Sequence, residues 1–168
     1  LVSLSVVVDR PRTPVLPPIR FSSATTSSPW IRISWGDWHR RSFGEEWGNN
    51  ISPVRWAIDR GVNFTVHNDA SVVPPDMMRL VSITVNRKTR SGHVLGPHQR
   101  ATIQEALHAV TFGGAYQYFE EDTKGSITVG KQADLVILEQ NPLTTDPAEL
   151  EHIRIMETFS RGRSVFTR

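Results

Sequence analysis

The chain has 168 residues, with 19 lysines and arginines against 17 aspartates and glutamates and no cysteine. A formal charge of +2 is too small for a phosphate-binding face, and no recognition helix or zinc-finger pattern is present, so a nucleic-acid partner is not expected. There is no thiol for a thiolate site, and no run of about 18–20 apolar residues to cross a bilayer, so no membrane association is expected.

Residues 1–8 (LVSLSVVV) are an apolar run of strand character. They lack the basic leader and cleavage site of a signal peptide, so a cytoplasmic location is expected. Residues 10–29 then turn rich in proline, serine and threonine, and Pro11, Pro14, Pro17 and Pro18 oppose both helix and central strand. Next comes GDWHR at 36–40, where Trp35, Trp38 and Trp47 lie around His39 together with Asp37 and Arg40. Such a concentration of aromatic and charged groups lines a ligand pocket, or it packs a long connection onto the body of the fold.

At 52–60, Ser52 is an N-cap candidate, Pro53 suits the first helical position, and Val54, Ala57 and Ile58 form an apolar face before a stop at Gly61. In 62–69 (VNFTVHND), Val62, Phe64 and Val66 alternate with Asn63, Thr65 and His67. That pattern predicts a short strand delivering Asp69 just past its carboxyl end, where α/β sheets present catalytic side chains. The plainer reading of Asn68-Asp69 is a turn pair, and His67 either shares the face of Asp69 or is a hydrogen-bonded structural histidine. Residues 76–80 read as a helix leading to Thr84, Asn86 and Arg87, and an arginine there needs only solvent to explain it.

Further on, Thr102 and Glu105 have the capping-box spacing for a helix to Val110, with Ile103, Ala106, Leu107 and Val110 on its apolar face. Gly113-Gly114 interrupts, and a helical turn from Ala115 to Phe119 places Tyr116 and Phe119 on one face. In 125–141 (GSITVGKQADLVILEQN), an extended run at 126–129, a turn at Gly130-Lys131 and an apolar strand at 133–138 read as a hairpin. The strand suits cover on both faces and ends at Asn141-Pro142. His93, His98, His108 and His152 form neither His-x-His nor HExxH, so these residues alone do not compose a conventional metal centre.

The ordered set of GDWHR at 36–40, NISPVRWAIDRGVNFTVHNDA at 50–70, SGHVLGPHQRATIQEALHAVTFGGAYQYFEED at 91–122, GSITVGKQADLVILEQNPL at 125–143 and ETFSRGRSVF at 157–166 resembles the amidohydrolase superfamily. The likeness is to the carboxyl-terminal third of its amidohydrolase-3 branch, which includes N-substituted formamide deformylases and YtcJ-like proteins. The resemblance implies an α/β fold: the last strands and helices of a (β/α)8 barrel over residues 1–123, with the irregular stretch 10–29, then the closing strands of a small β-sandwich over 124–168. It implies a hydrolase of carbon–nitrogen bonds in small amide-like molecules, using a divalent metal, zinc. Asp69 would be the metal ligand and catalytic proton acceptor, with His67, His39 and Arg87 in the substrate pocket and His39 on a loop over the barrel mouth. Residues 1–29 depart from the family pattern, as does Ser71, where relatives commonly carry proline.

A whole barrel takes about 250 residues, so a truncated piece lacking most metal ligands, inactive by itself, is expected, with homo-oligomer contacts through exposed barrel edges. The competing expectation is a non-catalytic remnant that serves interaction or oligomerisation.

Overall fold

The computed structural model describes residues 29–68 and 74–168, with side chains from residue 35 onward. The run 1–8, the stretch 10–28 and Asp69 lie outside the described residues. No helix among the described residues is long and apolar enough to cross a membrane.

Helix α1 spans Pro29–Asn49 and turns sharply at Gly44, whose φ of 78° and ψ of 171° leave the helical region. GDWHR therefore lies on a helix, not on the loop expected for it. Pro29 supplies the preset φ of a first helical residue, and no other proline follows until Pro53. Beyond the turn the chain folds back closely: a Cβ on Gly48 would stand 2.9 Å from the Arg40 Cα.

Helix α2 (Val54–Asp59) stops before Gly61, which has φ of 66° as the stop signal requires. Ser52 does not cap it. Its φ is 53°, and its carbonyl accepts from Val54 N–H at 2.8 Å and from Arg87 at 3.1 Å, an arrangement that holds Ser52 out of cap geometry.

The expected strand at 62–67 is extended backbone with one bridge residue, Val66, rather than a ladder. Val62 is exposed while Phe64, Thr65 and Val66 are all buried, so the alternation is not kept. The segment docks on α5 instead, as described below.

Helix α3 (Met77–Asn86) is the centre of the core. Residues from Leu80 through Val85 are buried on every side, as expected of a helix packed all round. Asp76 caps its start by accepting from Arg79 N–H at 3.0 Å, and it ends at Arg87 in the left-handed conformation, φ 55°.

Helix α4 (Ile103–Val110) carries the expected capping box: Thr102 Oγ1 accepts from Glu105 N–H while Glu105 accepts from Thr102 N–H at 2.8 Å. Its Ala106 and Leu107 are buried, with Ile103 and Val110 packed at the core margin. Helix α5 (Phe112–Gln117) starts earlier than expected and runs through Gly113-Gly114, whereas Phe119 lies beyond it, exposed and at φ 61°. Glycine is tolerated in α5 because of contact: a Cβ on Gly113 would meet the Phe64 carbonyl oxygen at 2.8 Å.

Glu105 has a second use. Arg55 of α2 reaches it with Nη2 to Oε2 at 2.7 Å and Nη1 to Oε1 at 3.2 Å, a two-point bridge tying α2 to α4. Burial opposes the Glu105 charge, but hydrogen bonds from Arg55 and Thr102 outweigh it and hold the carboxyl below its usual range. A carboxylate with a depressed folded pKa contributes stability above its unfolded pKa and loses it as pH falls through the folded value. Glu105→Gln should thus lose about 1–2 kcal/mol at neutral pH, discounted for partial exposure. It should also show a shallower decline in stability on acidification than the wild type. Urea unfolding at about pH 7 and about pH 3 reads both; parallel curves for the two proteins would sink the assignment.

The last third forms a small antiparallel sheet in the order β1 (Leu135–Leu138), β2 (Ile155–Ser160), β3 (Arg163–Thr167). The expected hairpin partner at 126–129 is not a strand; β1 pairs with β2, Leu135 opposite Phe159 and Leu138 opposite Ile155. Nor is β1 covered on both faces, since Val136 is exposed. Residues 126–131 are turn structure with Gly130 at φ 92°, and Lys131 Nζ donates to Ser126 Oγ at 2.7 Å and to the Glu121 carbonyl. The connection between β1 and β2 returns to the body: Pro147–His152 forms a 3-10 turn against α3, and Leu150 and Ile153 join the α3 core.

Candidate functional site

Three places bear on chemistry. The first is the aromatic face of α1. His39 stacks on Phe43 with ring centroids 5.5 Å apart and meets Trp38 edge-on at 5.3 Å, with Trp35 at 6.4 Å. Its Nδ1 is shielded from solvent and makes no hydrogen bond among the described residues, and burial lowers its pKa. Trp35, Trp38 and Phe43 are themselves exposed, so these rings and His39 pack on one another and not into the core, and Trp47 is exposed as well. Neighbouring Asp37 accepts from Thr89 Oγ1 at 2.9 Å, Ser91 Oγ at 2.7 Å and Ser91 N–H at 3.2 Å. Partial burial works against its charge, yet these bonds and the Arg40 charge outweigh that and lower its pKa.

The second is the extended segment at 62–68. Phe64 and Val66 are in the core, and Thr65 donates to Gln117 Oε1 at 2.9 Å. Together with the Gly113 contact this seats the segment on α5. His67 is half-buried and Asn68 buried, immediately before residue 69.

The third is Arg87. Its side chain is fully buried, and its guanidinium donates to the carbonyls of Leu95 at 2.6 Å, Ile51 at 3.0 Å, Ser52 at 3.1 Å and Asn49 at 3.4 Å. Burial, then the charge of Arg100, pushes it down to about 10, which leaves it cationic at neutral pH. Its donors are committed to main-chain carbonyls inside the fold. Among the described residues no hydrogen bond or ring contact joins His39, His67 and Arg87 to one another.

Two of the remaining four histidines make side-chain contacts that place them. His98 Nε2 lies 2.8 Å from Asn50 Oδ1, the same oxygen that accepts from buried Gln99 at 3.3 Å. His108 packs on Phe112 with centroids 5.0 Å apart. No group of three histidine, aspartate or glutamate side chains among the described residues converges where it could hold a metal ion. A surface depression of about 560 Å³, lined in part by Pro74, Met78, Ile155, Phe166 and Arg168, includes none of the expected pocket residues.

Sequence reasoning passed over the network of Asn49, Asn50, Gln99 and Gly96. Its signal was the glycine of the LGP turn: a Cβ on Gly96, at φ 57°, would stand 1.9 Å from the Asn49 carbonyl oxygen.

Residues 20–166 match the amidohydrolase family. The N-substituted formamide deformylase of Arthrobacter pascens is 27% identical over 137 residues, which make up 81% of this chain and 25% of that protein. An uncharacterized metal-dependent hydrolase from Pyrococcus horikoshii superposes with a TM-score of 0.59 at 25% identity, over 71% of this chain and 25% of the other. An adenosine deaminase from Xanthomonas campestris, solved with bound zinc, gives a TM-score of 0.53 at 25% identity over 71% of this chain and 30% of the other. The chain thus shares the fold of the two solved structures over 71% of its length, while spanning about a quarter (25%) of the deformylase.

Proposed function

This chain belongs to the amidohydrolase family, and on that premise we propose that it serves the metal-dependent hydrolysis of a carbon–nitrogen bond in a small amide-like molecule. The observation that carries the reading is the match across residues 20–166 in one continuous order, joined by the deformylase named above. In this reading α1 to α5 and the segment at 62–68 are closing elements of a (β/α)8 barrel. The three-stranded sheet belongs to a small second domain, with a boundary in chain order near Lys124, although Leu150 and Ile153 share the core of α3.

Asp69 is this chain's ligand for a divalent metal; zinc is favoured by the zinc-bound deaminase. Two features support it: Asp69 directly follows a segment anchored at Phe64, Thr65 and Val66, and HNDA is the family-like motif. The described residues alone do not build a metal centre, so no ligand is assigned among them. A divalent metal held there would supply a lowered water pKa and a polarised scissile carbonyl. The Asp69 carboxylate would serve as the proton acceptor, a task for which a carboxylate within hydrogen-bond reach of water is suited. His67, two residues earlier, orients that carboxylate or borders the pocket, and His39 lends an apolar aromatic wall. We assign Arg87 to the scaffold on the strength of its carbonyl contacts.

Elemental analysis after zinc supplementation, comparing the chain with its Asp69→Ala variant, tests the assignment. Near-stoichiometric zinc in the wild type, lost in the variant while the circular dichroism spectrum is unchanged, would support the assignment, with the remaining ligands supplied by a second copy of the chain. Equal zinc in both proteins would remove Asp69 from the role, and none in either would mean that this segment does not assemble a metal site by itself.

A further inference from the structure

The outer strand of the sheet buries little of itself. Every residue of β3 is exposed with the rest of the chain in place, Val165 at 62% and Phe166 at 49%. Its pairing with β2 is also interrupted: Thr158 stands opposite Phe166 and Phe159 opposite Ser164, so Val165 has no residue across from it. An extra residue of this kind disrupts the ladder locally. Contacts that bury little apolar area contribute little hydrophobic free energy, so the strand depends on its hydrogen bonds. One group of them lies at the turn between β2 and β3. Arg161 N–H donates to Asp134 Oδ1 at 2.8 Å and Gly162 N–H to the Ala133 carbonyl at 2.9 Å, which ties the turn to the chain entering β1. Arg161 holds φ of 51° and Gly162 φ of 75°, a left-handed conformation that carries a penalty at Arg161 and none at glycine.

The geometry points to β3 as a strap that opens from β2 while the helical body and the β1–β2 pair stay folded, latched by the Asp134 carboxylate on the Arg161 N–H. The body does not depend on it: the segment between β1 and β2 sends Leu150 and Ile153 into the core of α3, whereas β3 contributes no buried residue. Elements with few buried apolar contacts and solvent-exposed hydrogen bonds open at lower free energy than the core. Thr158 of β2, Phe166 of β3 and Arg168 just beyond it border the depression of about 560 Å³ beside Pro74 and Met78. Opening therefore removes the Phe166 and Arg168 side of that depression and bares Thr158 and the outer edge of β2. It also breaks the ladder between the two strands, so the amides that bridge them are freed by the motion itself. The strap stands independently of any role for Asp69.

Native-state hydrogen exchange on the full chain reads the opening at the bonds it breaks. Amides bonded across the β2–β3 ladder, together with that of Arg168 on the Met156 carbonyl, should be protected at least about 100-fold less than those at 80–85 in α3. Asp134→Ala removes the latch and should lower the ladder's protection about three- to tenfold, the effect of one hydrogen bond. It should leave 80–85 unchanged. Arg161→Gly acts in the opposite direction: it keeps the N–H donor and removes the left-handed penalty, so it should raise the ladder's protection. If the ladder amides are as protected as 80–85 in the wild type, or if Asp134→Ala lowers both sets equally or neither, β3 is part of the body and the inference fails. It fails as well if Arg161→Gly does not raise the ladder's protection.

Discussion

Arg87→Met should lower folding stability by about 3 kcal/mol, the largest loss expected from any single polar side chain in this structure. Among the described residues the guanidinium is an interior cation without a carboxylate partner; what it has is carbonyls from the end of α1, the turn before α2 and the segment after α3. Bonds from a charged donor contribute about 1.5–3 kcal/mol each. The downward push to about 10, from burial and then the Arg100 charge, corresponds to a cost on the order of 3 kcal/mol for keeping the cation there. Methionine recovers that cost but leaves the carbonyls of Ile51, Ser52 and Leu95 dry and unsatisfied, and the carbonyl loss is the larger quantity. Arg87→Lys should recover less than half of the difference, because a single ammonium cannot span acceptors that surround a planar fork. Lys88→Met, next to it but exposed, should change stability by no more than about 0.5 kcal/mol. Denaturant titration of the three variants decides the matter. An Arg87→Met protein within about 1 kcal/mol of wild type would mean that the carbonyls find other donors.

Gly96→Ala is expected to be as damaging, for a steric reason. Its Cβ would lie 1.9 Å from the Asn49 oxygen and 2.8 Å from the Asn49 carbonyl carbon, backbone atoms that cannot swing aside. Gly96 N–H also donates to Asn49 Oδ1 at 3.0 Å, so displacing the turn breaks that bond as well. At φ 57° the backbone adds its own penalty of about 1 kcal/mol for any side chain. Gly61→Ala isolates that second term: its φ of 66° is similar, but nothing lies within 4 Å of the added carbon. Thermal unfolding should therefore show a loss of about 1 kcal/mol at Gly61 and about 3 kcal/mol or more at Gly96. Equal losses would show that the Asn49 contact relaxes freely. Because Arg87 and Gly96 both act on Asn49, the double variant should lose less than the two single losses combined.

Much of this molecule could be read in advance where the signal is local. The Thr102–Glu105 capping box, the stop at Gly61 and the turn at Gly130 each depend on residues within a few positions of one another, and all are present. The order of the longer segments was enough to suggest the family, because order and spacing are properties of the chain itself. Reading failed where a local pattern had more than one use. The run at 133–138 has strand character whichever strand it pairs with, and its partner proved to be β2, which no turn signal nearby indicates. The tryptophans around GDWHR suit a loop over a pocket as well as a helix, and only the course of α1 from Pro29 decides for the helix.

The division follows from the range of the forces. Backbone dihedral preferences, caps and glycine turns act between neighbours in sequence, so the sequence by itself determined the starts and stops of several elements and the family to which the chain belongs. Only the tertiary structure decided that Arg87 serves main-chain carbonyls some 35 to 38 positions earlier, that Asp37 holds Ser91 across 54 positions, and that Gly113 is a seat for Phe64. Those assignments depend on which donors meet which acceptors once the core has closed, and a buried polar group takes whatever partner the packing presents to it.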